Sequence, residues 1–391
     1  MRIDIENEMD AFDVFERTNA RGVDLEVADL LKNYLFKEEV KELDDKWDAI
    51  ATNADGNTLR MLKYFYIAKK GPVAKSDLYK ELKRYGEAIG ADALTDELGE
   101  FSSFYKKART ASQDGIKETL HSLGIELISR DQEKLAAIFH SLEALRLFKI
   151  FQVYPLLYAA LKCFAKISSA TKHAKLLVRL FESLEKYHFI NNSVCERIGN
   201  QVEKVYADFC VKYAEKDSNF DRVTNELIDT LKKQLAPEDE FSTRFIRITY
   251  ETREIARLMY IFDRMNNVGL PASQKLRIFY PEDLRRRNWN IEHFFPQNPD
   301  IGTSGKLGTV DNIGNLLPLD FRTNSALNNR TPQQKIEWLQ KDDNSRKVEN
   351  MAYVRNFIHK YGKAALSWDE RMIEQRAKEM ASDAYQKVWR I

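Results

Sequence analysis

The chemistry-bearing residues of this 391-residue chain crowd into one stretch. Trp289-Asn-Ile-Glu-His-Phe-Phe-Pro-Gln297 is followed by Ile313-Gly-Asn-Leu-Leu-Pro-Leu319 and then by Thr323-Asn-Ser-Ala-Leu-Asn-Asn-Arg330. A histidine beside a carboxylate, with asparagines further on, suits phosphodiester hydrolysis. That reaction needs a base to activate water and a hard cation to neutralise charge on the phosphate and the leaving oxygen. A neutral imidazole serves as the base near pH 7. Carboxylate and amide oxygens are ligands that magnesium accepts. Singly, these residues are weak signals. A Glu-His pair usually sits in a surface turn, Asn315 after Gly314 is an ordinary turn residue, and Asn324 is a competent cap. Their order and punctuation carry the reading.

The elements that must position them are short. Ile291 to Phe295 is predicted as a strand ended by Pro296, and a loop of Gly, Ser and Thr follows. Ile313 to Leu319 is predicted as a second strand, and Thr331 to Lys341 as a helix carrying Ile336, Trp338 and Leu339. Adjacent residues on a strand face opposite ways, so Glu292 and His293 need a twist at the strand end to share one site. Strand, loop, strand, helix is the ββα-metal arrangement of HNH nucleases.

Roughly residues 285–391 resemble the C-terminal HNH domain of GmrSD-type restriction endonucleases, which are modification-dependent. The likeness runs through Glu292-His293-x-x-Pro296-Gln297, Ile313-Gly-Asn-Leu316, Asn324 nine residues after Asn315, and Lys335 opening the helix. It extends to Trp368-Asp-Glu-Arg-Met-Ile-Glu-Gln-Arg376 and Val388-Trp389. The resemblance implies that His293 is the general base and that Glu292 and Asn324 hold Mg2+, with Mn2+ as a substitute. It implies that Asn315 orients the imidazole or braces the loop, and that Lys335, more weakly Arg330, touches the scissile or a neighbouring phosphate. The absence of Cys-x2-Cys pairs excludes the zinc-stapled variety. The function implied is cleavage of double-stranded DNA in defence against phage or other foreign DNA, with base modification as a trigger.

A second part of the resemblance lies near the start of the chain. Residues 9–36 read as helix, turn, helix, with Gly22 at the turn and Asp24 as N-cap for Leu25 to Phe36. The pattern Phe15-x3-Asn19-x-Arg21-Gly22-x2-Leu25-x3-Asp29-Leu30-x-Lys32 resembles the closing segment of the family's nucleotide-binding N-terminal domain. By that likeness Asn19, Arg21 and Lys32 are remnant nucleotide-domain contacts; the same residues also read as a plain capped helical hairpin. The family's upstream Asp-Gly-Gln-Arg type motif has no counterpart. This argues against NTP dependence and suggests that a second chain supplies the front portion.

Overall charge hides an asymmetry. Lys+Arg 61 against Asp+Glu 60 gives +1, yet residues 1–240 carry −6 and residues 241–391 carry +7. A basic C-terminal part fits phosphate binding. Arg285, Arg286 and Arg287, with Lys275, Arg277, Arg244, Arg247, Arg253 and Arg257, read as a basic track or, equally, as a solvated helix face. Proline usage also changes: three of the nine prolines precede residue 240.

Before that point the pattern is helix after helix. Leu135, Ile138, Phe139, Leu142 and Leu145 follow i, i+3, i+4, i+7 spacing, as do Leu177, Leu180, Phe181 and Leu184. The expected fold is mainly α, a multi-helical domain followed by a small ββα-metal (HNH) module embedded in helices. Its expected parts are residues 1–36, a helical scaffold or recognition domain at 37–240, and a nuclease domain at 241–391. Three scattered cysteines exclude a disulfide framework and point to a reducing, cytoplasmic setting. No apolar run reaches the roughly 18–20 residues of a membrane span. Two rival functions stay open: a non-cleaving DNA-binding or regulatory subunit, and an HNH-type RNA nuclease.

Overall fold

Apolar residues recurring every three to four positions produce helices that bury one stripe each. The computed structural model describes residues 27–167, 171–251, 254–279, 288–298 and 307–391. Leu135, Ile138, Phe139, Leu142 and Leu145 all turn inward from the helix Gln132–Leu147. Leu177, Leu180, Phe181 and Leu184 do the same from Thr171–His188. The fold is mainly α, and among the described residues its one sheet has two strands.

The chain divides into two compact units. The first comprises the described residues up to Leu142, with Ile150–Glu182 and Gly199–Asp229. Phe101 centres an aromatic cluster there, with the rings of Phe65, Phe104, Tyr105 and Tyr158 at 5.0 to 6.3 Å. The helix expected from Leu25 is described as Val27–Lys37; the turn before it, with Asn19 and Arg21, lies outside the described residues.

The second unit comprises Glu143–Lys149, Ser183–Ile198 and Thr230–Ile391. Its largest core cluster includes Phe189, which stacks on Trp389 at 4.1 Å, and Tyr260, whose hydroxyl accepts from Trp389 Nε1 at 2.8 Å. The buried Glu185 carboxylate is met by Tyr260 and by Arg264 Nε at 2.6 Å, so its charge does not stand alone. Arg264 belongs to α1 (Ile255–Asn267).

The sheet pairs β1 (Trp289–His293) antiparallel with β2 (Leu316–Asp320), setting Glu292 opposite Leu317 and His293 opposite Leu316. Both strands differ from the sequence expectation. β1 stops at His293 because, although Phe294 N–H still reaches Asn315 O opposite it, Asn315 N–H turns back to Asn312 O and Phe295 N–H goes to Asn315 Oδ1. Ile313–Asn315 forms a 3-10 turn before β2 begins. Between β2 and the expected helix lies α2 (Phe321–Leu327), capped by Asp320, whose carboxylate accepts from Arg322 and Thr323 N–H. The expected helix is α3 (Pro332–Gln340), opened by a Thr331/Gln334 capping box.

Two more helices clamp this assembly: α4 (Ala352–Tyr361) and α5 (Glu370–Asp383). Gly314 lies so close to α5 that a Cβ would meet Ile373 O at 2.1 Å. Buried Arg376 donates to Gly314 O at 2.7 Å, to Leu316 O at 2.9 Å and to Tyr353 Oη at 3.0 Å.

Candidate active site

Where β1 ends, a cleft opens with a volume of about 270 Å³. Its walls come from β1 (Asn290, Glu292, His293), the turn after it (Gln297, Asn298), α2 and its exit (Asn324, Asn328, Asn329), and Lys335 on α3. Glu292 and His293 therefore share one cavity despite being neighbours on a strand, because the chain leaves the ladder just after His293.

His293 is held from two sides. Its Nε2 donates to Asp311 Oδ1 at 3.0 Å, and the Tyr250 ring meets it edge-on at 4.7 Å. A carboxylate acceptor assigns the proton to Nε2 and leaves Nδ1 as the basic nitrogen. Burial pushes the imidazole below its ordinary pKa of 6.5; the Asp311 charge offsets part of that shift, and Lys335 adds to it. The group is thus neutral near pH 7, as a base must be. Asp311 also accepts from Gln297 Nε2 at 2.7 Å, and its own carbonyl receives Tyr250 N–H at 2.7 Å.

Glu292 and Lys335 form a buried pair, with Nζ 2.5 Å from Oε1 and side chains 8 % and 1 % exposed. The ammonium directs a hydrogen bond to His293 O at 2.7 Å, so Oε1 has an ionic partner but no aligned donor. Burial pushes Glu292 above and Lys335 below their ordinary pKa values, and each charge offsets part of the other's shift. Asn324 presents a buried Oδ1 with no hydrogen-bond partner. Among the described residues six buried side-chain atoms lack such a partner, and only Glu292 Oε1 and Asn324 Oδ1 belong to cleft residues. Buried polar atoms are nearly always paired; Asn324 Oδ1 is not, and it shares the cavity with the Glu292 carboxylate held by Lys335, so these two oxygens are the ones that could hold a cation. No cluster of three His, Cys, Asp or Glu suited to a metal occurs among the described residues. The donor set is one carboxylate and one amide.

Asn315 stands apart from the cleft. It is fully buried and its amide is fully used: Oδ1 accepts from Phe295 N and Trp368 Nε1, while Nδ2 donates to Phe295 O and Val310 O. Of the two tasks expected of it, it performs the bracing of the loop and makes no contact with the imidazole. That corrects its place among the catalytic groups. Arg330 folds back to Ala326 O at 2.8 Å and does not line the cavity. Lys32 pairs with Asp44 at 3.0 Å. In the expected basic track, Arg244, Arg257 and Arg277 are engaged by Glu196, Glu254 and Glu143. Arg253, Arg285, Arg286 and Arg287 lie outside the described residues.

The tail that holds Asn315 and Gly314, from Trp368 to Arg376, extends the same constellation. Residues 235–383 match the GmrSD restriction endonuclease C-terminal domain. No curated protein and no solved structure matches the chain. Every residue lining the cleft lies inside the GmrSD C-terminal domain match, as do Asp311, Asn315 and Arg376. Asp311, Tyr250 and Gln297 escaped the sequence reading as functional groups. The one available signal was an acidic residue just before Asn312-Ile-Gly-Asn315, in a loop whose path to His293 is set by tertiary contacts.

Proposed function

We propose that this chain is a metal-dependent endonuclease of the HNH type that hydrolyses DNA phosphodiester bonds in the restriction of foreign or modified DNA. The reading is supported by the cleft in which an anchored neutral histidine accompanies two buried oxygens, Glu292 Oε1 paired with the Lys335 ammonium and Asn324 Oδ1 without a hydrogen-bond partner. Those oxygens would hold Mg2+, with Mn2+ as a substitute, and the ion would neutralise charge on the phosphate and the leaving oxygen. His293 Nδ1 takes the proton of the attacking water as its oxygen bonds phosphorus and the bond to the 3′ oxygen breaks. Asp311 keeps the imidazole in the tautomer that can do this and stabilises the imidazolium formed. Lys335 keeps Glu292 ionised within the buried cleft.

The test is a supercoiled-plasmid assay with magnesium. Wild-type protein should nick, His293→Ala should not, and both should unfold at the same temperature. Cleavage by His293→Ala at the wild-type rate removes the mechanism. Duplex binding without nicking in magnesium or manganese, with or without nucleotide, would instead make the chain a regulatory subunit. Preferential cutting of RNA over DNA would make it an RNA nuclease.

A further inference from the structure

Asn328 is a cleft residue that the fold and the proposed chemistry leave unused. It lines the cleft, its side chain is exposed, and among the described residues that side chain has no hydrogen-bond partner. Its backbone is the unusual part. It terminates α2 with φ 48° and ψ −143°, its N–H returning to Asn324 O at 3.2 Å. Asparagine tolerates positive φ mainly near the left-handed helix, where ψ is about +30 to +60°. A ψ on the extended side belongs to a region used almost wholly by glycine. Glycine would meet this turn without strain. The chain instead places a carboxamide there, in the wall that also carries Asn324, and gives it nothing within the protein to bind.

We propose that Asn328 is a substrate-contact residue whose amide Nδ2 donates to a phosphate oxygen of the nucleic-acid strand lying in the cleft. This rests on the nuclease reading, since a phosphodiester that reaches His293, Glu292 and Asn324 enters the cavity that Asn328 borders. A phosphate is the fitting acceptor. Phosphate contacts fix the strand's position without reading its sequence, and a neutral amide does so without releasing counterions. The strained turn is then a cost in stability accepted for a positioned donor.

Asn328→Gly separates the two properties in the full chain. Glycine relaxes the backbone and deletes the amide, so the variant should unfold at or above the wild-type temperature. Its KM for plasmid nicking should rise about tenfold, as for loss of a hydrogen bond to a charged group. In EDTA, its affinity for short duplexes should fall to a similar degree, equally across unrelated sequences and with an unchanged salt slope. Asn328→Asp, which keeps the side chain's shape and sets a carboxylate against the phosphate, should bind more weakly still. Asn328→Gly within twofold of wild type in both KM and duplex affinity overturns the contact. A loss confined to one duplex sequence overturns the phosphate and makes the residue a reader of bases. If the wild type binds duplex but never nicks, the nuclease reading fails, while the EDTA binding comparison still decides the role of Asn328.

Discussion

Removing the positive member of the buried pair should expose how the cleft holds an isolated carboxylate. In Lys335→Met, the apolar stem is retained and the ammonium 2.5 Å from Glu292 Oε1 is lost. Glu292 is 8 % exposed and Lys335 1 %, so solvent cannot replace the missing charge. Breaking such a pair from one side costs about 3–5 kcal/mol. At about 2–4 °C per kcal/mol for a unit of this size, the melting temperature should drop by about 6–20 °C. Four of the five tryptophans, Trp289, Trp338, Trp368 and Trp389, lie in the second unit, so tryptophan fluorescence in urea reports mainly on its unfolding. The sign of the pH dependence follows from burial, which raises Glu292 above its ordinary 4.5. The deficit relative to wild type is full at neutral pH, where the lone carboxylate is ionised, and shrinks as pH falls and Glu292 takes a proton. Glu292→Gln in the same chain should recover part of the loss, with a coupling energy of at least about 1 kcal/mol. Magnesium should raise the melting temperature of Lys335→Met more than that of wild type, since the cleft then offers an uncompensated oxygen ligand. Additivity of the two substitutions within about 0.5 kcal/mol refutes the pairing. Equal magnesium responses refute the assignment of Glu292 as a cation ligand.

Three further outcomes follow from the geometry. Because burial holds His293 below its ordinary 6.5, the nicking rate should fall only as pH drops beneath that value; a midpoint above 6.5 contradicts the environment described. Asp311→Asn keeps an acceptor for Nε2 and removes the charge that raises the imidazole, so the acid limb should move to lower pH, and Asp311→Ala should lose about 10- to 100-fold in kcat with unchanged duplex affinity. Gly314→Ala would set a methyl 2.1 Å from Ile373 O, backbone that cannot step aside, and should destabilise the second unit by more than about 3 kcal/mol in urea unfolding.

The helical nature of the chain was legible wherever one face is apolar. The stripe from Leu135 to Leu145 and that from Leu177 to Leu184 are buried throughout, each on the helix its spacing predicts. In the candidate site, Glu292, His293, Asn324 and Lys335 could be picked out because they sit in a short ordered constellation, and all of them line one cavity. Strand limits were less legible because a side chain, Asn315, terminates β1 by binding the next backbone groups across 20 residues. Helix α2 was missed since Phe321–Leu327 is too short to show a period, and its start depends on the Asp320 cap. Asp311 was hidden for another reason: nothing local says that a loop acid will meet an imidazole 18 residues earlier. In the basic track, the pairing of Arg244, Arg257 and Arg277 was not legible because sequence lists arginines without the carboxylates that engage them.

The Arg376 clamp also has a consequence in time. The chain is made in one direction, and α5 emerges from the ribosome only after every cleft residue through Lys335. Until then Gly314 O and Leu316 O lack the guanidinium that binds them, and Asn315 Oδ1 lacks the indole of Trp368. A nascent chain thus carries its cleft residues for some time without the brace that fixes them. The cleft is completed by a late helix, once the residues that line it have been made.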